Sequence, residues 1–433
     1  MVGSSQALRT ALHRAEQRYI SANPRSFERF ERACAAMPGG NTRSVLYFSP
    51  FPVSIDSASG AILRDVDGHE YIDFLGEFSA GIYGHSHPAI ISAATKALQS
   101  GIVLGGPNVY ECELAALLCK RFPSCDLIRF CNSGTEANLM ALVTACAVTG
   151  RKKVMVFEGG YHGGVLKFAP GGSPVNAPFD YVVAQYNDLD ETRALIGKSS
   201  KELAAIILEP MLGGGGGIVA DRNFLRMLRE ESTRHEIVLI FDEVMTSRLS
   251  PGGLQEKLGV RPDMTTFGKY IGGGFSFGAF GGRRALMEHY DPRRVSGFAH
   301  AGTFNNNVVS MAAGLGGLRD VLTTDTIVAF NKKGDWFREK LNRVISERQS
   351  CAQVLGSGTI MTIHFQRGPI RTARDVDPAP EKRALLHLEM LAKGFYIARR
   401  GYMSLSLALS DAHYENFIAA FDEFLEEHGH LLA

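Results

Sequence analysis

The chain is predicted to be an α/β protein, with a large domain built on a mostly parallel sheet covered by helices on both faces and a smaller α+β domain. Three observations predict this. From about residue 110 to 241, strand-length apolar runs alternate with helical stretches, the rhythm of βαβ units. Past about residue 325 the pattern becomes one long helix, short strands and two closing helices. At 433 residues and 45% hydrophobic, the chain exceeds the roughly 250 to 300 residues at which a single core stops growing. The expected division is an N-terminal segment, 1–66, contributing to the small domain, a large domain, 67–324, and a C-terminal small domain, 325–433.

Taken in order, residues 5–36 are predicted helical with a break near Asn23-Pro24, leading into the turn-rich loop Met37 to Ser44 that holds Arg43. Alternating strands are expected at Phe51 to Ile55 and Ala61 to Val66, then an Asp67-Gly68 turn and Glu70 to Asp73, forming a small antiparallel meander. The large domain follows as helix 111–121, strand 127–131, helix 135–149, strand 152–157, strand 181–184, helix 190–197, strand 204–208, helix 221–235 and strand 237–241. The small domain comprises a helix at 326–348, short strands, and helices at 380–394 and 411–429.

Two stretches carry the chemistry. Ile237 to Phe241 is an apolar run ending in Asp242-Glu243, so Asp242 is predicted at the carboxyl edge of the sheet, where such folds bind ligands. Lys269 stands between Gly268 and the run Gly272-Gly273-Gly274, where bare backbone lets a planar ligand approach. A strand-tip acid with a glycine-flanked lysine suits pyridoxal phosphate: the lysine forms the Schiff base and the acid keeps the pyridine nitrogen protonated. Ser133-Gly134-Thr135-Glu136 follows a strand and opens a helix, offering amides and the positive helix end to an anion, while Ser133 and Glu136 also have capping-box spacing. Tyr161-His162 lies on the next glycine-rich loop, where Tyr161 can stack on an aromatic cofactor.

Other chemistries fit less well. Lys269 lacks the nucleotide-binding spacing G-x-x-x-x-G-K-[ST], and no G-x-G-x-x-G opens a helix after a strand. His85-x-His87 has no third ligand at useful spacing, and the Asp65-x-Asp67-Gly68 turn lacks the distal acid of a calcium loop. A formal charge of +1 argues against nucleic acid or a membrane surface and for a small-molecule site. Seven cysteines without a C-x-x-C read as reduced thiols of an intracellular, cytoplasmic protein. No apolar run reaches the ~18 residues of a spanning helix, and an N-terminus with Arg9 and Arg14 but no early acid keeps an organellar transit peptide as the alternative.

The order of motifs resembles the class III aminotransferases of fold type I, which depend on pyridoxal phosphate. It is carried by Asp67-Gly68 with Tyr71-Ile72-Asp73, Gly84-His85-Ser86-His87-Pro88, Ser133 to Ala137, Tyr161-His162-Gly163, Glu209-Pro210, Phe241 to Val244, Gly268 to Gly274 and Gly302-Thr303-Phe304. Within the family the chain is similar to the branch of aromatic β-amino acid aminotransferases and glutamate-1-semialdehyde aminomutases. The resemblance implies a seven-stranded, mostly parallel sheet in a large cofactor-binding domain. It implies Lys269 as Schiff-base lysine and proton shuttle, and Asp242 as partner of the pyridine nitrogen. Val244 and Tyr161 would take the two ring faces, Ser133, Gly134 and Thr135 the phosphate, with Glu209 also at the cofactor. Thr303 would reach the phosphate of a neighbouring subunit, making the active unit a homodimer.

Arg43 and Arg400 match arginines that meet substrate carboxylates in the β-amino acid enzymes. The implied activity is ping-pong transfer from a β-amino acid, with an aromatic or bulky apolar side chain, to 2-oxoglutarate or pyruvate. Glutamate-1-semialdehyde aminomutase and ω-amine transaminase are the alternatives. Asn41-Thr42-Arg43 brings the arginine forward relative to the aminomutase pattern, which favours the transaminase.

Overall fold

A computed structural model describes residues 2–432. Its central sheet has seven strands in the order Leu127–Cys131, Gly278–Gly282, Met264–Gly268, Val238–Asp242, Leu203–Leu208, Lys153–Phe157 and Asp180–Ala184. All run parallel except Gly278–Gly282, which is antiparallel to both neighbours. Every residue of Leu203–Leu208 and of Val238–Asp242 is buried, because helices cover both faces. This explains why the strands are continuous apolar runs instead of alternating ones.

The predicted helices and strands of 110–241 all form. Helix Gly134–Thr149 begins at its expected cap and ends on the left-handed Gly150. Two features differ from expectation. Met264–Gly268, for which no strand is predicted, is a strand that delivers Lys269 to the sheet edge. Gly278–Gly282 is a fully buried strand that three glycines conceal. A Cβ at Gly278 would run into the Ser133 carbonyl and one at Gly282 into Met264 and the Asp263 carbonyl, so close backbone approach, not side-chain packing, selects the residue type here.

The N-terminal helices are Val2–Ala22 and Pro24–Cys34. The meander forms from Ile55–Ser59, Ile62–Asp65 and Glu70–Asp73, with Phe395–Tyr396 added in parallel. Its first strand starts later than predicted. Pro50 and Pro52 cannot donate to a ladder, and Phe51 and Val53 alternate because they enter the core. A third sheet joins Gln353–Ser357, Ile360–His364 and Tyr402–Ser404. The long helix is Thr324–Glu347, and the closing helices are Pro380–Ala392 and Asp411–His428. Among the described residues no helix is long and apolar enough to cross a membrane.

Candidate active site

The carboxyl ends of the parallel strands converge on one crevice. Val238–Asp242 ends in Asp242, Met264–Gly268 in Lys269, Leu203–Leu208 in Glu209, Lys153–Phe157 in the Gly159 to Gly164 loop, and Leu127–Cys131 in the cap Ser133. Ser133 Oγ accepts the Glu136 amide at 3.1 Å. Glu136 accepts the Asn132 amide at 2.8 Å, one residue beyond the N-cap amide that a capping box uses. The amides of Gly134 and Thr135 occupy the first turn, where helix N–H groups have no intrahelical partner and the dipole favours an anion.

Asp242 is buried and its carboxylate is held from three sides. Oδ1 accepts the Val244 amide at 3.0 Å, and Oδ2 lies 2.8 Å from both Asn138 Nδ2 and His162 Nδ1. Asn138 is itself fixed, accepting from Thr266 Oγ1 at 2.6 Å and donating to the His162 carbonyl at 3.0 Å. Sequence reasoning missed Asn138 and left His162 as a loop residue. The available signal was an asparagine inside the apolar run Ala137 to Leu142, a position where an amide needs partners.

Val244 packs under the sheet edge against two glycines: a Cβ at Gly134 would lie 2.9 Å from both its methyls, and one at Gly268 would lie 3.1 Å from Cγ1. Tyr161 presents a half-exposed ring on a loop fixed through its backbone, since its amide donates to Glu209 Oε1 at 3.0 Å. Glu209 Oε2 accepts the Gly213 amide, also at 3.0 Å. Burial pushes the Glu209 carboxyl up to about 7; Asp242 adds to this, while His162 and the two amides oppose it.

Lys269 sits at φ 54, a left-handed conformation that its Cβ disfavours. Desolvation lowers its ammonium to about 8; the carboxylates of Asp242 and Glu209 oppose the shift, and the guanidiniums of Arg400 and Arg248 add to it. Arg400 is half-buried, with its Nε buried and lacking a hydrogen-bond partner. Its guanidinium carbon lies 5.3 Å from the centre of the Phe78 ring and 5.0 Å from that of Tyr402. The exposed Arg43 pairs with Glu77, and its guanidinium carbon stands 5.6 Å from the same Phe78 ring. Both arginines therefore meet at one aromatic side chain. Thr303 lies elsewhere, in a groove of about 790 Å³ shared with Ile102 to Pro107, Phe275 and Phe304, and no hydrogen bond among the described residues joins it to Ser133, Thr135 or Lys269. His85 pairs with Asp73, and His87 caps the helix Pro88–Gln99. Among the described residues no three His, Cys, Asp or Glu side chains cluster to hold a metal.

These features fit pyridoxal phosphate: open helix amides for a phosphate, a buried carboxylate for a protonated ring nitrogen, and an amine of lowered pKa. The class-III aminotransferase family model matches residues 47–425. The β-phenylalanine transaminase of Variovorax paradoxus is 47% identical over 427 residues, covering 98% of each chain, and the crystal structure of the β-phenylalanine aminotransferase from that organism superposes with a TM-score of 0.96. An ω-transaminase from Sphaerobacter thermophilus is 36% identical, with a TM-score of 0.88 over 93% of this chain and 97% of its own. Glutamate-1-semialdehyde 2,1-aminomutase 2 of Lachnoclostridium phytofermentans is 37% identical over 409 residues, 90% of this chain and 95% of its own. With its strand-edge acid, lysine and helix cap in place, the chain belongs to the class-III aminotransferases, pyridoxal-phosphate-dependent enzymes of fold type I.

Proposed function

We propose that the protein moves the amino group of a β-amino acid, with an aromatic or bulky apolar side chain, to a keto acid such as 2-oxoglutarate or pyruvate. The observation that carries this reading is Arg400: a guanidinium with a buried, unpartnered Nε, near enough to Lys269 to act on its charge. A β-amino acid carries its carboxylate one methylene farther from the reacting nitrogen than an α-amino acid does. Its clamp must therefore lie off the central sheet, and Arg400 is on the turn before Tyr402–Ser404. The turn is closed by the Gly401 amide donating to the Ala398 carbonyl at 2.8 Å. The similarity to the Variovorax β-phenylalanine transaminase supports the same substrate class.

In this reading Ser133, Gly134 and Thr135 hold the cofactor phosphate. Val244 and Tyr161 bound the ring, Glu209 fixes the Tyr161 loop, and Asp242 pairs with the ring nitrogen. When bound, pyridoxal phosphate supplies the electron sink for deprotonation at the carbon bearing the amine. Lys269 binds the cofactor between turnovers and, once displaced by the amine, moves that proton. A base near 8 serves this step better than an ordinary lysine near 10.4. Asp242, held by Asn138, His162 and the Val244 amide, keeps its charge directed at one point. The active unit is a homodimer, supported by the exposed Ile102, Val103, Leu104 and Phe304 around Thr303, an apolar surface suited to a second copy. Its seven free cysteines support a reducing, cytoplasmic setting.

The experiment is a donor screen. The protein is incubated with β-phenylalanine, with α-phenylalanine and with 1-phenylethylamine, against 2-oxoglutarate and pyruvate, and keto product is measured. β-Phenylalanine should be the preferred donor, and Arg400→Lys should raise its KM strongly because an ammonium cannot pair fork-like with a carboxylate. Preference for the amine without a carboxylate overturns the reading.

A further inference from the structure

The segment Gly76-Glu77-Phe78-Ser79 has four consecutive residues with positive φ, 53°, 47°, 52° and 80°. Only the first is glycine. Left-handed backbone is disfavoured for residues with a Cβ, and such outliers persist where the surroundings over-determine them. Asp73 Oδ1 accepts the amides of Leu75 and Gly76 at 2.8 and 3.0 Å, and the Gly81 amide donates to the Gly76 carbonyl at 2.9 Å. Arg248, fully buried, donates to the Ser79 carbonyl at 3.2 Å, to Ser404 Oγ at 3.0 Å and to the Leu405 carbonyl. A buried guanidinium whose partners are carbonyls and a hydroxyl, with no carboxylate, is costly. It clamps the far end of this segment to the strand Tyr402–Ser404, two residues beyond Arg400.

The clamped segment displays two side chains toward the substrate arginines. Phe78 lies beneath both guanidiniums and stacks on Tyr402 at 5.9 Å between centroids. Glu77 pairs with Arg43. Both partners of that pair are about half exposed, at 43% and 52% of side-chain surface. Ion pairs of this kind contribute little and are readily exchanged.

We infer that Glu77 is a specificity-determining placeholder: an internal carboxylate that occupies Arg43 until the second carboxylate of a dicarboxylate acceptor displaces it. This rests on the reading of Arg43 and Arg400 as the carboxylate-binding arginines. A dicarboxylate then engages both guanidiniums around Phe78, one at each end. A monocarboxylate needs only Arg400 and leaves the Arg43–Glu77 pair closed, so that Arg43 presents no uncompensated charge beside an apolar side chain. The rigid, left-handed display of Glu77 sets how hard it competes, and so tunes the enzyme between dicarboxylate and monocarboxylate acceptors.

The test compares Glu77→Gln, Arg43→Ala and the double variant as holoenzymes, with one β-amino acid donor and either 2-oxoglutarate or pyruvate as acceptor. Removing a weak competing pair corresponds to about two- to fivefold in apparent affinity. Glu77→Gln should therefore lower the KM for 2-oxoglutarate by that factor and raise the 2-oxoglutarate-to-pyruvate ratio of kcat/KM alike. Glu77→Asp should fall between Gln and wild type. Arg43→Ala should raise the 2-oxoglutarate KM, and adding Glu77→Gln to it should change nothing further. If Arg43→Ala raises the KM while Glu77→Gln leaves it unchanged or raises it, the placeholder is wrong and the arginine assignment stands. If Arg43→Ala leaves both acceptors' KM unchanged, the assignment fails and the placeholder with it. A drop in KM for both acceptors by the same factor shows a general charge effect and also overturns the inference.

Discussion

Replacing Asp242 by asparagine changes one oxygen to an amino group, which cannot accept the Asn138 hydrogen bond that the oxygen takes. Oδ1 accepts the Val244 amide, and Oδ2 faces Asn138 Nδ2 and His162 Nδ1. In Asp242→Asn, a new side chain that keeps its carbonyl toward Val244 points its NH₂ at the NH₂ of Asn138. Asn138 cannot turn to accept it, because its carbonyl is held by Thr266 and its NH₂ by the His162 carbonyl. Losing one charge-assisted bond at a buried site costs about 1.5 to 3 kcal/mol. The chemical loss is larger: an amide does not keep a pyridine nitrogen protonated, and removing one preorganised electrostatic contact costs about 100- to 1,000-fold in rate. The expected outcome for Asp242→Asn is a folded protein of lowered Tm whose single-turnover half-reaction with the β-amino donor slows by at least that factor. Stopped-flow absorbance and a thermal melt measure the two effects. A half-reaction within tenfold of wild type would refute the role given to Asp242 and to the network behind it.

Lys269→Ala should bind pyridoxal phosphate only non-covalently, so that denaturation releases all cofactor even after borohydride reduction, which fixes it to the wild-type lysine, and lose turnover; normal turnover in this variant would remove Lys269 from the mechanism. The amine of wild-type apoenzyme is neutral only above its pKa, so cofactor capture should accelerate with pH about a midpoint near 8, where an unperturbed lysine would give about 10.4. Rapid-mixing absorbance across a pH series from neutral to strongly alkaline measures it, and acceleration that continues up to the ordinary lysine range contradicts the desolvation argument. Thr303→Ala should loosen the cofactor only in the dimer, and sedimentation with cofactor titration should show both properties lost together on dilution. A fully active monomer would count against the shared site.

The parts of the site that sequence makes legible are those whose chemistry is local. Asp242 at the end of an apolar run, Lys269 beside glycines and Ser133 opening a helix each announce themselves through neighbours within a few residues. His162 and Asn138 do not, because their meaning comes from Asp242, 80 and 104 residues away. Nothing in Gly76-Glu77-Phe78-Ser79 signals a left-handed run either. Asp73 holds its start, and its far end is held by Arg248, 169 residues from the carbonyl to which it donates. The fold follows the same division: apolar strands are readable, whereas Gly278–Gly282 carries its information in backbones that must approach, which no hydrophobic period records.

Glu209 is the acid of the crevice whose titration is displaced by burial. It is held by only two amides, so burial, with the Asp242 carboxylate adding to it, raises it to about 7. The folded-state value therefore exceeds the ordinary 4.5 of a glutamate. A carboxyl with a raised folded pKa contributes stability that is present below the unfolded pKa and lost as pH rises through the folded one, here between about 4.5 and 7. The linkage is at most about 3 kcal/mol. Glutamine is uncharged at every pH, as the protonated carboxyl is, and each gives one of the two donating amides, Tyr161 and Gly213, a carbonyl acceptor. The melting temperature of Glu209→Gln should thus gain on wild type as pH rises from about 5 to about 8. The activities of the two should be similar on the acid side of the Glu209 titration and diverge above about 7, as the wild-type Tyr161 loop acquires its second acceptor. A melting difference that stays constant across this range would mean that Glu209 does not titrate within it, and would refute the burial argument.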